Sequence, residues 1–286
     1  MILCLVIGTL AFANGCASIQ AQAERDSPSA GIPIGAPLET DSAGKAADAA
    51  HKAVTRVICR PTSFGGTGFL HKSGVVITAA HVVAGCALGD LSLLAASGQQ
   101  VGVASVIADD VKDLAILRPT SPLSGTPLAV APTSEPRLRT QVTTWGYPGG
   151  YDGLPPLLSV GYFAGIQDFN VGTTQTIRRW VINAAFNGGN SGGPLLAVES
   201  GQVIGVVTSK LAPLPKEIAV IIEDLKNETG GYSGQSRVLI HGQRPSEAQL
   251  VGYVLEYLRK QVQLVIGYAV TTKDLNDFLK EQGITP

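Results

Sequence analysis

The stretch NAAFNGGNSGGPLL, residues 183–196, sets a single hydroxyl, Ser191, inside a run of glycines. Two readings fit it. Glycine permits tight turns and the close approach of another backbone, so the run reads as a loop. If Ser191 is a nucleophile, the attacked carbonyl must lie within reach of its oxygen and of nearby backbone N–H groups, and bulky neighbours would obstruct that approach. Working outward, GGPLLAV (192–198) and GQVIGVVTS (201–209) are short apolar runs separated by turn residues, the pattern of consecutive strands.

The same spacing recurs along the body. AVTRVIC (53–59), GTGFLH (66–71), GVVITAAH (74–81), LSLLAA (91–96), QVGVASVIA (100–108) and DLAILRP (113–119) read as strands. QVTTWGYP (141–148), PLLSVGYFAGI (156–166), TQTIRRWVINA (174–184) and QLVIGYAV (263–270) continue the series. All are short and bounded by turn residues, which predicts an all-β antiparallel barrel or sandwich rather than alternating strands and helices. Helices come late: KEIAVIIEDLKNE (216–228), PSEAQLVGYVLEYLRKQV (245–262) and TTKDLNDFLKEQG (271–283) carry apolar residues at helical spacing. Ser246 with Gln249, and Thr271 with Asp274, predict capping boxes at the last two.

With 286 residues, 45% hydrophobic and 15% charged, the chain can bury a sizeable core. The net charge of -1 disfavours nucleic acid as a partner. The leader, residues 1–20, is an apolar run followed by small residues and too short to span a bilayer as a mature helix. It reads as an export signal, although no Lys or Arg precedes the apolar run. Cys16 in NGCAS resembles a lipoprotein cleavage site, with Ala13 where leucine is usual, so lipidation at Cys16, simple cleavage and an uncleaved buried segment all stay open. Export places the protein in the periplasm or outside the cell, with a lipid anchor to the membrane as one form of it. Residues 21–50 are rich in Ala, Ser, Pro and Gly without apolar periodicity and read as a linker to a domain over 51–286. In the body an even pair, Cys59 and Cys86, suggests one disulfide in an exported protein, against two buried free thiols. The four histidines show no paired spacing with these cysteines, so no metal and no cofactor is expected.

A catalytic Ser191 needs a base and a carboxylate to orient that base. His81 ends the apolar VVITAAH, where it is either satisfied in the core or presented to a cleft. Asp113 immediately precedes the apolar LAIL, where a cap or turn role competes. Taken together, TAAH, DLAIL and GNSGGP occur in the order and at spacings similar to those of the chymotrypsin-type serine proteases. More narrowly, NAAFNGGNSGGPLL, GQVIGVV and IGYAVTTKDLNDFL resemble the HtrA/Deg branch. The resemblance covers roughly 55–210 and 263–280 and implies two six-stranded antiparallel β-barrels with the site in the cleft between them.

By that resemblance Ser191 is the nucleophile, His81 the general base and acid, and Asp113 the orienting carboxylate, with protein or peptide as substrate. The N–H groups of Gly189 and Ser191 match the oxyanion hole. Ala185 falls at the floor of the primary specificity pocket, with Phe186 beside it and Thr208 in the wall segment, so cleavage after small or medium aliphatic residues is expected. Asn190 stands where digestive members carry an aspartate that receives a freed N-terminus, and that activation route is not expected here. A Cys59–Cys86 bridge would staple the segment after His81, much as trypsin-like members do.

Two departures stand out. Between 211 and 262 the chain has an insertion where HtrA-like proteases have a short loop, readable as a surface elaboration or as a lid. No PDZ domain follows in this sequence. Two rivals remain. GNSGG also satisfies the nucleophile elbow of α/β-hydrolases, but that fold places its histidine after the serine, where only His241 in the polar IHGQRP stands. A protease-like fold that binds without cutting is the second.

Overall fold

Strands with one face on a core and short turns between them close on themselves when every edge finds a partner, and this chain does so twice. The computed structural model describes residues 49–62, 64–171, 175–209, 245–261 and 266–286, with Ala46 and Leu225. All of these lie in one compact unit, Asp41–Pro286.

The first barrel is built from β1 (Val54–Cys59), β2 (Phe64–Leu70), β3 (Val76–Thr78), β4 (Leu91–Ala95), β5 (Gln100–Asp109) and β6 (Leu114–Pro119). The second comprises β7 (Gln141–Gly146), β8 (Leu157–Val171), β9 (Gln175–Asn183), β10 (Pro194–Ala197), β11 (Val203–Ser209) and β12 (Gly267–Thr271). Their orders, β1-β2-β3-β6-β5-β4 and β10-β11-β12-β9-β8-β7, are the same circuit read in opposite senses, and all strand pairs within them are antiparallel. The expected pair of six-stranded barrels is therefore present.

Two boundaries differ from the sequence expectation. GVVITAAH is not a strand to its end: β3 stops at Thr78, and His81 sits in a short helix, α1 (Ala80–Val83). β8 runs on to Val171 because it pairs with β9 as far as Val171↔Gln175, a polar hairpin whose residues are largely exposed and so lack the apolar alternation that marks a strand.

Two further helices are described, α2 (Glu247–Gln261) and α3 (Thr272–Glu281). The start of α2 carries the expected reciprocal box, and that of α3 its forward half. Ser246 N–H donates to Gln249 Oε1 at 2.9 Å while Gln249 N–H donates to Ser246 Oγ at 3.2 Å. Thr271 Oγ1 accepts from Asp274 N–H at 3.1 Å. The leader with Cys16, the helix expected over 216–228 apart from Leu225, and most of the 21–50 linker lie outside the described residues. Ala50, at the linker's end, is already packed in the core with Ala53.

One apolar cluster crosses from barrel to barrel. It joins Phe69, Ile77, Leu114 and Ile116 of the first to Leu196, Val203, Val206 and Val270 of the second, and Leu275, Phe278 and Leu279 of α3 pack into it. This shared core fixes the β2–β3–α1 corner, the turn before β6 and the loop between β9 and β10 relative to one another.

Candidate active site

His81 reaches its place because β3 ends at Thr78 and the chain turns into α1. Cys59 at the end of β1 is joined by a disulfide to Cys86, which closes the segment that follows the histidine. Asp113 sits one residue before β6 in a left-handed conformation, φ 58°, uncommon for a residue with a side chain. The structure brings the two together. His81 Nδ1 lies 2.9 Å from each oxygen of the Asp113 carboxylate, and His81 N–H donates to Oδ1 at 3.0 Å. The hydroxyl of Thr208 donates to the same carboxylate at Oδ2. Burial by itself would push the Asp113 carboxyl up. The His81 ring and N–H with the Thr208 hydroxyl more than offset it, so the carboxyl is held below its ordinary value. Because Nδ1 faces a carboxylate, it carries the proton, and Nε2 is left as the basic nitrogen of the ring.

Ser191 lies in the β9–β10 loop, and its hydroxyl donates to Thr208 O at 2.8 Å. Asn190 N–H donates to Asn187 O at 3.0 Å, and Gly189 has φ 98° while Gly188 is not in the positive-φ region. A four-residue turn with positive φ only at its third residue is type II, which is why glycine is needed at 189. A Cβ there would also meet Tyr147 O at 2.3 Å. Gly188 O is taken by Gly149 N–H at 2.6 Å, which turns the 188–189 peptide so that the Gly189 N–H faces the opposite side. Among the described residues neither Gly189 N–H nor Ser191 N–H donates to a protein acceptor.

The turn is sewn to the first barrel through Thr67 of β2. Thr67 Oγ1 donates to Gly189 O at 2.7 Å and accepts from Tyr147 N–H at 3.0 Å, and Thr67 N–H donates to Ser191 O at 2.8 Å. Gly192, φ 86°, allows the backbones to meet, since a Cβ would lie 2.1 Å from Thr67 O. Arg56 of β1 donates to Tyr151 O at 2.8 Å and Gly153 O at 3.0 Å, holding the loop that supplies Gly149.

The remaining residues singled out in the sequence are distributed as follows. Ala185 is exposed, whereas Phe186 is buried in the second barrel's core, its ring against Gly267. Thr208 is buried, its hydroxyl on Asp113 and its carbonyl on Ser191. Asn190 is buried, with Oδ1 unpartnered among the described residues and 2.8 Å from where a Cβ on Gly146 would lie. His241 lies outside the described residues, and within them no group of His, Cys, Asp and Glu is placed to hold a metal. Sequence reasoning missed Thr67 altogether; its partner Gly189 is 122 residues away, and no local pattern signals such a contact.

Comparison with known proteins agrees with this architecture. The profile of the family described as "Trypsin-like peptidase domain" matches residues 66–206. "Protease Do-like 1, chloroplastic" of Arabidopsis thaliana is 33% identical over 153 residues, covering 52% of this chain and 34% of the relative. "Serine protease Do-like HtrA" of Lactococcus lactis subsp. cremoris is 31% identical over 154 residues, covering 51% of this chain and 37% of the relative. The match therefore spans only about a third of the length of these curated relatives. Among solved structures, the Rv3671c protease from M. tuberculosis in its active form overlaps 87% of this chain and 90% of its own, with TM-score 0.57 at 21% identity, a likeness of fold. Over residues 66–206 the chain is similar to trypsin-like peptidase domains, its relatives in sequence include Do-like serine proteases, and its double barrel shares the chymotrypsin-like fold of the Rv3671c protease.

Proposed function

We propose that the chain is a serine endopeptidase acting on protein substrates through an acyl-enzyme, with Ser191 as nucleophile, His81 as general base and acid, and Asp113 as orienting carboxylate. The observation that carries this reading is the two-point hold of Asp113 on His81, at the ring Nδ1 and at the backbone N–H. It leaves Nε2 free to take the serine proton and favours the imidazolium that results. In the resting chain Ser191 Oγ is bonded to Thr208 O. Rotation about its Cα–Cβ bond must carry it toward the imidazole before Oγ can attack a carbonyl carbon. The Gly189 and Ser191 N–H groups then receive the oxyanion, where loss of one donor costs about 100- to 1000-fold in rate. His81 returns the proton to the leaving amine, and water repeats the sequence on the ester.

For specificity, Ala185 is uncharged and exposed and the Phe186 ring is buried against Gly267, so neither offers a partner to Arg or Lys, which supports cleavage after small or medium aliphatic residues. The leader, together with the Cys59–Cys86 disulfide, supports export to an oxidising compartment, with Cys16 as a candidate lipid anchor. Among the described residues no helix is long and apolar enough to cross a membrane.

The test is covalent labelling. The full-length chain should react with a fluorophosphonate probe and digest unfolded casein, and Ser191→Ala should abolish both. A second reading, binding without cleavage, is favoured by the Ser191–Thr208 bond. A folded wild-type chain that takes no label anywhere between pH about 6 and 9 would select it.

A further inference from the structure

Asp113 adopts its left-handed conformation at the end of a loop that begins at Asp109, and a residue with a side chain stays there only where its surroundings over-determine it. Part of that determination comes from the other barrel. Arg179 of β9 is 5% exposed, and its guanidinium donates to Lys112 O at 2.9 Å and reaches Val111 O at 3.5 Å, the two carbonyls directly before Asp113. It also donates to Arg178 O at 3.2 Å. A buried guanidinium is usually met by a carboxylate in a two-pronged pair. Here Asp274 of α3 stands at 3.8 Å, and the shortest hydrogen bond is spent on the loop's backbone.

The same loop is tied twice more. Asp109 Oδ1 accepts from the N–H groups of Val111 at 3.0 Å and Lys112 at 2.8 Å, which winds it tightly. At the surface Lys112 Nζ pairs with Glu281 at the end of α3, 2.8 Å away, and with Asp109 at 3.3 Å. The loop that presents Asp113 to His81 is thus gripped from β9 and from α3.

We propose that Arg179 is a positioning residue: acting from the second barrel, it fixes the Val111–Lys112 backbone and thereby the placement of the Asp113 carboxylate on His81, with the Lys112–Glu281 pair as its surface counterpart. The inference rests on the triad reading given above and extends it to a residue that touches neither substrate nor imidazole. A merely structural arginine would change the folded fraction and leave the chemistry of folded molecules alone. A positioning arginine changes kcat and the hydrogen bond between Asp113 and His81.

The experiment compares the full-length wild type with Arg179→Gln, Arg179→Lys and Lys112→Met, each normalised by fluorophosphonate titration of active sites. Arg179→Gln should lower kcat on a peptide substrate about 10- to 100-fold, as small displacements of a catalytic group do, while KM changes little. The strongly deshielded Nδ1 proton of His81, read by NMR at low temperature, should shift or broaden. Arg179→Lys, which keeps a cationic donor beside Lys112 O, should recover part of both, and Lys112→Met should show the same signature at smaller size. A folded Arg179→Gln chain with wild-type kcat and an unmoved resonance would overturn the proposal. If that variant does not fold, Lys112→Met with wild-type kcat and resonance overturns it instead. An unreactive wild type would overturn the triad reading and this inference with it, whereas a reactive wild type with unaffected variants overturns this inference alone.

Discussion

Thr208 holds two members of the proposed triad at once, Asp113 through its hydroxyl and Ser191 through its carbonyl. The family resemblance makes it readable as pocket wall, but its hydroxyl is turned toward a carboxylate 95 residues away in the chain. The same limit applies to Thr67 and Arg179, whose contacts with Gly189 and Lys112 cross between barrels. His81, Asp113 and Ser191 could be singled out because each adjoins an apolar run or a glycine run that sequence displays; residues that support them from a distance display nothing. Replacing Thr208 by valine keeps the shape and removes one donor to an ionised acceptor, an interaction typically worth about 1.5–3 kcal/mol. Thr208→Val should therefore lower kcat/KM about 10- to 100-fold with the carbonyl contact to Ser191 intact. Steady-state kinetics with unchanged kcat/KM in the folded variant would remove the hydroxyl from any catalytic role.

At the scale of elements, the strands were legible because turn residues punctuate apolar runs, and the caps of α2 and α3 because a capping box is a local signature. The short helix α1 was not legible, since Ala80–Val83 continues the apolar composition of β3 and four residues carry no periodicity. The β2–β3 hairpin offers a test of how tightly such an element is packed. His71, at its turn, is fully buried, with Nδ1 2.9 Å from Ser73 Oγ and Nε2 unpartnered among the described residues. Burial, and to a smaller extent the neighbouring Lys72, hold its pKa below the ordinary 6.5. In acid the unfolded chain takes up a proton that the folded hairpin resists. Stability from this group is therefore full above pH 6.5 and declines as the pH falls from there toward the folded value. His71→Gln should flatten that part of the decline. Urea unfolding of both chains at pH about 7.5 and about 5 measures it, and equal losses in the two would mean the ring is not held neutral by the fold.

At the scale of the whole molecule, the site exists only between barrels, and so does the largest core. Phe278 of α3 is 2% exposed in the cluster that also holds Phe69 and Ile77 from the first barrel and Val206 and Val270 from the second. Its ring lies 5.9 Å from the Lys112 ammonium, so the helix that completes the core also borders the Asp113 loop. Two barrels with independent cores could melt separately, leaving half a site behind; a shared core makes the loss of either barrel expose apolar surface of the other. Phe278→Ala should therefore cost about 3–5 kcal/mol, the usual range for a buried phenylalanine, and should lower the stability of both barrels together. Calorimetry of wild type and variant should give a single transition whose calorimetric and van't Hoff enthalpies agree. Hydrogen exchange should lose protection in β3 and β11 to the same extent. A variant in which the second barrel is destabilised while β3 keeps its protection would show that the barrels are separate folding units, and that the site between them is held by Thr67, Arg179 and the other polar cross-links alone.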